Sequence, residues 1–159
     1  MKVIGMLAVA AALAAASMPA SAQTPPADIV SATSPAQFAA VLQDIGYRAE
    51  VLTNNDGKQR VRTRIAGWNM VAVFYGCTGN EDCRSLTLSA YWTDKKWNAD
   101  FANDWNRARR FSKLYLDKDN DLTIDYDILL RNGISKGNIK AHLDILEDQM
   151  KALGDMLRK

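Results

Sequence analysis

Hydrophobic residues first recur with the period of an α-helix just after position 34. Ser34 and Pro35 suit the N-cap and the first helical position, and Gln37 is spaced to complete a capping box. The apolar residues that follow have the i, i+3, i+4, i+7 spacing of one helix face, namely Phe38, Val41, Leu42 and Ile45. This spacing predicts a first amphipathic helix that ends at Gly46.

From residue 47 the pattern alternates, which is typical of β-strands. Segments 47–53, 59–65, 70–75 and 84–92 are separated by an Asn-Asn-Asp-Gly turn, by a glycine and by a loop that holds both cysteines. Connections this short favour antiparallel hairpins. In the fourth segment apolar residues alternate with serine, threonine and tyrosine, so we expect a sheet that is covered on one face only.

The C-terminal half predicts two helices around a further hairpin. A helix over residues 98–110 aligns Trp97, Phe101 and Trp105 on one stripe, and segments 113–117 and 122–130 alternate on either side of a polar turn. A last helix from Ser135 carries an apolar stripe of Ile139, Leu143, Leu146, Met150, Leu153 and Leu157. The whole pattern predicts an α+β fold, an antiparallel β-sheet flanked by helices in the order α-ββββ-α-ββ-α.

The N-terminus has the features of a signal peptide. Lys2 precedes an apolar, alanine-rich run, and Ala20-Ser21-Ala22 fits the cleavage rule of signal peptidase. A membrane anchor is the alternative, but the run is shorter than the roughly 20 strongly apolar residues that a span needs. We therefore expect residues 1–22 to be removed, residues 23–33 to form a flexible leader, and residues 34–159 to fold as one domain in the periplasm or outside the cell, with no stable membrane insertion after cleavage.

Charge and composition narrow the range of functions. Removal of 22 of the 159 residues leaves 137, and among them 19 basic side chains nearly balance 18 acidic ones, since only Lys2 of the 20 Lys and Arg is lost. Such a balance does not suit a nucleic-acid-binding protein that neutralises phosphates. A single histidine also limits the catalytic arrangements that the chain can form.

Cys77 and Cys83 are the only cysteines, and export would place them where disulfides persist. The intervening Thr-Gly-Asn-Glu-Asp has turn chemistry, so a bond would close the end of a hairpin. The alternative is a metal or redox pair, but the spacing lacks further ligands and differs from C-x-x-C. We predict a structural disulfide.

Aspartates after the second helix imitate the odd-numbered ligands of a calcium-binding EF-hand loop, at positions Asp117, Asp119, Asp121, Thr123 and Asp125. The imitation fails at the sixth position, Leu122, and at the twelfth, Ile128, where the motif requires Gly and Glu. The following residues alternate as a strand instead of continuing as a helix. We expect a hairpin turn here, and no cofactor or metal is predicted for the chain.

A basic stripe of Arg60, Arg62 and Arg64 lies on one face of the second predicted strand. It is a candidate site for an acidic partner, and the alternative is a solvated sheet face. Thr123, Asp125 and Asp127 form an acidic face on the last strand. If the two strands are neighbours, these charges would pair across the sheet.

The second helix and the next hairpin carry a recognisable set of residues: Asn103, Trp105-Asn106, Arg110-Phe111 and Tyr115-Leu116-Asp117. In these residues, and loosely over positions 34–153, the chain resembles the YbjN family of bacterial proteins. Members are described as candidate regulators of sensory transduction, and their fold is similar to that of dimeric type III secretion chaperones. The resemblance implies an unidentified protein partner and a homodimer, but no catalytic or cofactor-binding residue.

Physical roles for these residues follow from their positions. We expect Trp105 and Phe111 to be buried and to anchor the helix on the sheet. Asn106 and Arg110 lie near the predicted helix C-terminus, where amides bind free carbonyls and cations complement the dipole. The alternative is that Trp105, Asn106 and Arg110 form a recognition site for a partner.

The favoured hypothesis is an exported, non-enzymatic protein-binding or regulatory accessory module in the periplasm, resembling a chaperone. One alternative is a self-associating structural or envelope-stress factor, in which an uncovered sheet face or an apolar helix edge forms a homodimer. The other is a small hydrolase. His142 has Asp144 close by, but the sequence places no serine or cysteine nucleophile beside them. Catalysis by cysteine and histidine would require a free thiolate, which a disulfide between Cys77 and Cys83 would remove.

Overall fold

The computed structural model of the chain describes residues 29–30, 32–94 and 96–158, so the predicted signal peptide lies outside the described residues. In chain order the elements are β1 (Ile29–Val30), α1 (Pro35–Asp44), β2 (Ala49–Thr53), β3 (Gln59–Ile65), β4 (Trp68–Tyr75), β5 (Ser85–Trp92), α2 (Ala99–Ala108), β6 (Ser112–Leu116), β7 (Leu122–Leu129), β8 (Ile134–Ser135) and α3 (Lys136–Leu157).

Six strands form one antiparallel sheet of order β2-β3-β4-β5-β7-β6. With its three helices this sheet confirms the predicted α+β class and the order α-ββββ-α-ββ-α. Helix α2 lies in the connection between β5 and β6, and β6 is at the sheet edge. Strand β7 therefore lies between β5 and β6. The sheet order differs from the chain order at this one place.

A two-stranded ribbon of β1 and β8 extends the fold beyond the predicted elements. Residues 23–33 were expected to form a flexible leader, yet Ala32 is buried and the Thr33 carbonyl accepts a 2.7 Å hydrogen bond from the Cys83 N–H. The folded part of the chain thus begins before Ser34. A two-residue strand carries too little alternation to be recognised, because only its tertiary pairing defines it.

The two faces of the sheet differ sharply. In one row across β3, β4, β5 and β7, Val61, Ala72, Leu88 and Tyr126 are each at most 1 % exposed. They share one core with the apolar residues of α1 and with the whole predicted stripe of α3. The prediction of a sheet covered on one face is confirmed.

The opposite face, called the open face below, presents the alternate residues of the four central strands. These residues are Arg60, Arg62 and Arg64 on β3, Val71, Val73 and Tyr75 on β4, Thr87, Ser89 and Tyr91 on β5, and Asp125, Asp127 and Leu129 on β7. Within the described part of the chain, none of the helices is both long and apolar enough to cross a lipid bilayer.

Candidate functional site

The open face exposes large side chains that a sheet normally covers. Tyr75, Tyr91 and Leu129 are 51 %, 68 % and 78 % exposed. Of this face, only the charged positions were predicted as candidate sites, because alternation assigns residues to a face but does not show how exposed each side chain is. Exposed apolar groups beside charged ones are characteristic of surfaces that bind proteins.

The basic end of the open face is formed by the three arginines of β3. Arg62 Nη1 lies 3.2 Å from Glu50 Oε2 on the neighbouring strand β2, in an ion pair exposed to solvent. Arg60 Nη2 donates a 2.6 Å hydrogen bond to Asn54 Oδ1, and Arg64 Nε donates one of 2.8 Å to the Gly67 carbonyl. An exposed ion pair contributes little stability, so Arg62 can exchange its partner at small cost.

The acidic end is formed by Asp125 and Asp127 on β7. Asp125 accepts hydrogen bonds from the Ser89 hydroxyl at 2.6 Å and the Tyr115 hydroxyl at 3.0 Å, and Lys113 Nζ lies 3.6 Å away. Asp127 accepts a hydrogen bond from the Thr87 hydroxyl. Both carboxylates therefore accept hydrogen bonds from neighbouring hydroxyl groups on the same face.

The basic and acidic strands are not neighbours. Strands β4 and β5 lie between β3 and β7, so three strand spacings, about 14 Å, separate the two charged ends. The pairing across the sheet that adjacency would have allowed does not form within the chain. The open face is instead basic on one side and acidic on the other.

Trp105 and Asn106 join α2 to the sheet. The Trp105 side chain is 2 % exposed, and its Nε1–H donates a 3.0 Å hydrogen bond to Ser112 Oγ. Asn106 receives a hydrogen bond of 2.9 Å from the Leu114 N–H and donates one of 2.8 Å to the Leu114 carbonyl. The predicted anchoring role of Trp105 is confirmed, and its side chain is not accessible to a partner.

The side-chain amide of Asn106 binds strand β6 and not the carbonyls at the helix end, which corrects the prediction from its position in the sequence. Because β6 is an edge strand, the backbone groups of Leu114 would otherwise lack partners. On the other edge, Gln43 Nε2 of α1 donates a 2.9 Å hydrogen bond to the Ala49 carbonyl of β2. Both edges of the sheet thus carry a side-chain amide, which leaves the open face as the better candidate for binding.

Phe111 is exposed, so the prediction that it is buried with Trp105 is wrong. Its side chain is 58 % exposed, and its φ of 73° lies in the left-handed region. The chain reverses there between α2 and β6, which turns the ring toward solvent. The Arg110 guanidinium lies 5.2 Å from the Phe111 ring centroid, so Arg110 belongs to this connection and is not brought together with the arginines of β3.

Cys77 and Cys83 form a disulfide across the β4–β5 connection, as predicted. Asn80 in this loop also contacts the β2–β3 turn, because its Oδ1 accepts a 2.9 Å hydrogen bond from the Gln59 N–H and its Nδ2 donates one of 3.0 Å to the Gly57 carbonyl. The disulfide and the side-chain amide of Asn80 together fix the β2–β3 and β4–β5 connections at one end of the sheet.

The aspartate-rich segment forms the β6–β7 hairpin turn. Asp117 Oδ1 accepts 2.9 Å hydrogen bonds from the N–H groups of both Asp119 and Asp121, and Asn120 adopts a left-handed φ of 59°. This is the turn chemistry of aspartate and asparagine. In the described part of the chain, no group of three His, Cys, Asp or Glu side chains is arranged to hold a metal ion.

His142 packs against the core strand β7. Its Nδ1 lies 3.0 Å from the Tyr126 hydroxyl, and burial lowers the pKa of His142 while raising the pKa of Tyr126. Asp144 is paired with Lys140 on the outer side of α3, and both cysteines are oxidised. The geometry therefore gives His142 a packing role and supplies no nucleophile from the cysteines.

Two tyrosines predict how stability changes at alkaline pH. Burial, followed by the hydrogen bond to Asp125, raises the pKa of Tyr115 to about 12, and burial and Glu147 raise the pKa of Tyr47 to about 12. The unfolded chain loses these protons near pH 10, so their contribution is complete below pH 10 and is lost as the pH rises toward 12. Denaturant unfolding at several pH values should show a smaller loss for Tyr47→Phe/Tyr115→Phe than for the wild type; equal losses would contradict this assignment.

Comparison with protein-family models identifies one that covers all of the described elements except β1. The match is to YbjN, described as "Putative bacterial sensory transduction regulator", over residues 34–159. Comparison with curated proteins found no match. The family match begins at the N-cap of α1 and includes the Trp105-Asn106 joint and the open face. The chain therefore belongs to the YbjN family.

Proposed function

We propose that the chain is an exported, non-enzymatic YbjN protein that binds another protein in the periplasm through its open face. The observation that carries this proposal is the uncovered central sheet, with exposed Tyr75 and Tyr91 between a basic and an acidic end and exposed Leu129 on the acidic strand itself. A surface of this kind gives both apolar contact and orientation by charge. The family description as a sensory transduction regulator supports a binding role.

Export is supported by the signal-like N-terminus and by the disulfide. A bond between Cys77 and Cys83 persists in an oxidising compartment such as the periplasm. The absence of catalysis is supported by the family description and by the position of His142, which contacts Tyr126 and not a nucleophile. The likeness to secretion chaperones adds a precedent for an α+β protein whose work is to hold a partner.

Cell fractionation with mass spectrometry tests the compartment. The expected product is a periplasmic chain that begins at Gln23, with Cys77 and Cys83 protected from thiol alkylation until a reductant is added. The variant Ala20→Leu/Ala22→Leu is the matched control, because it removes the small residues that signal peptidase requires and should remain uncleaved. A wild-type chain recovered intact from the cytoplasm, with both thiols alkylated, would disprove export.

A further inference from the structure

The charges of the open face are arranged in ordered rows. One row across the sheet contains Arg62, Val71, Ser89 and Asp125, and the next contains Arg60, Val73, Thr87 and Asp127. Within the four central strands each row has a cation on β3, two uncharged residues, and a carboxylate on β7. The first row continues on both sides with a charge of opposite sign, Glu50 beside Arg62 and Lys113 beside Asp125. The midpoint of both rows lies between β4 and β5.

In the second row, neither charge has an ionic partner among the residues that the structure describes. Arg60 is bonded to the neutral Asn54, and its Nε is buried without a hydrogen-bond acceptor among the described residues. Asp127 is bonded to the neutral hydroxyl of Thr87. Arg60 therefore has a positive charge that no carboxylate of the described residues compensates, and a carboxylate from outside the chain would supply the missing ionic partner.

A two-fold axis makes this face complementary to itself. If the axis runs parallel to the strands, midway between β4 and β5, the second copy turns over and its β7 comes to lie above β3. Arg60 then faces Asp127 of the second copy, and Arg62 faces Asp125 of the second copy, each pair occurring twice. An axis perpendicular to the strands would place arginine above arginine, so the charges select one orientation.

The centre of the face suits such close packing. In this arrangement Val71 and Val73 of one copy lie above Ser89 and Thr87 of the other, and all four side chains are small. Two sheets can then approach to about 10 Å, the usual separation of packed sheets. No bulky side chain in these central positions prevents contact between the charged ends.

We propose that the open face binds a second copy of this chain, face to face, in this two-fold orientation. The inference rests on the proposed function, since it names the occupant of the same surface. Six strands at about 4.8 Å spacing and some six residues in length cover roughly 600 Å² in projection. A face of this extent belongs to the smaller size class of specific interfaces, so a weak, reversible dimer is expected.

Sedimentation equilibrium of the mature chain tests the proposal through a charge swap. Arg60→Glu alone and Asp127→Lys alone should each raise the dimer Kd by roughly tenfold or more, because each places like charges together twice in the dimer. The double variant Arg60→Glu/Asp127→Lys restores opposite charges and should return Kd to within about threefold of the wild type. Lys140→Glu, on α3 in the opposite layer, is the control and should leave Kd unchanged.

Circular dichroism establishes that each variant is folded before its association is measured. The proposal is overturned if the wild type stays monomeric at about 100 μM, if neither single reversal weakens the dimer, or if the double variant is as weak as the single ones. If the wild type is a monomer that binds another envelope protein through the open face, the dimer is disproved and the proposed binding function stands. A dimer that fractionates with the cytoplasm would instead reject the proposed export.

Discussion

Replacing Trp105 with alanine is expected to lower the free energy of unfolding by roughly 3–5 kcal/mol, the usual cost of removing a buried aromatic side chain. Trp105 is almost fully buried and joins α2 to the core beside β6. Its loss leaves a cavity at the joint and deprives Ser112 Oγ of a hydrogen-bond donor. Denaturant unfolding monitored by far-UV circular dichroism measures the change.

Two variants separate burial from other causes. Trp105→Phe keeps part of the apolar contact but loses the Nε1–H donor and the volume of one ring, so its cost should be about 2 kcal/mol, below that of Trp105→Ala. Phe111→Ala removes an aromatic side chain from the same connection, but that ring is exposed, so the change should be within about 0.5 kcal/mol. A Phe111→Ala loss as large as that of Trp105→Ala would contradict the observed orientation of the two rings.

Replacing Asn106 with alanine is expected to cost about 2 kcal/mol, because it removes two hydrogen bonds from the edge strand at once. The Leu114 N–H and carbonyl lose their shared partner, and β6 is then held by β7 alone at this position. Hydrogen exchange followed by mass spectrometry should show faster exchange in β6, and thermal unfolding should show a lower Tm.

Asn103→Ala is the matched control for Asn106→Ala. It makes the same chemical change one helical turn earlier in α2, at an exposed residue of the same helix. Its stability should stay within about 0.5 kcal/mol of the wild type. Alanine favours the helix more than asparagine does, so helix propensity would stabilise both variants and cannot produce a loss. Equal losses from the two substitutions would contradict the assignment of the loss to the edge contact.

The hydrophobic pattern predicted the elements well because their periods are long and regular. The stripe of α3 and the alternation of β5 both extend over several repeats, and both are buried as expected. The Asp117 turn was also predictable, since its residues bond to their own backbone. Local chemistry was sufficient wherever a residue's partners lie close in the sequence.

Tertiary pairing explains what the sequence did not show. Strands β1 and β8 are separated by about a hundred residues, and neither has more than two residues to signal its presence. The exposed ring of Phe111 depends on a left-handed φ that the residue type does not suggest. The charged rows could not be predicted without the strand order. Strands β4 and β5 lie between β3 and β7, so Arg60 and Asp127 do not meet within one chain.

A side-chain amide is hydrogen-bonded to each edge of the sheet, and the apolar stripe of α3 is buried in the core. These contacts account for the open face being the surface left for association. They also separate the residues of the YbjN signature into two roles. Trp105 and Asn106 build the fold, whereas the exposed Phe111 lies in the α2–β6 connection. The arginines of β3 and the aspartates of β7 lie outside the signature, at the two ends of the open face.

Site-specific photocrosslinking in the cell envelope tests most directly whether the open face binds protein. A photoreactive phenylalanine derivative replaces Tyr75 on the open face or, as control, Phe111 at the α2–β6 turn, two aromatic positions that are similarly exposed. The account predicts a covalent protein adduct from position 75, and an adduct of twice the chain mass if the occupant is a second copy, with none from position 111. Adducts from position 111 alone, or none from position 75, would contradict it.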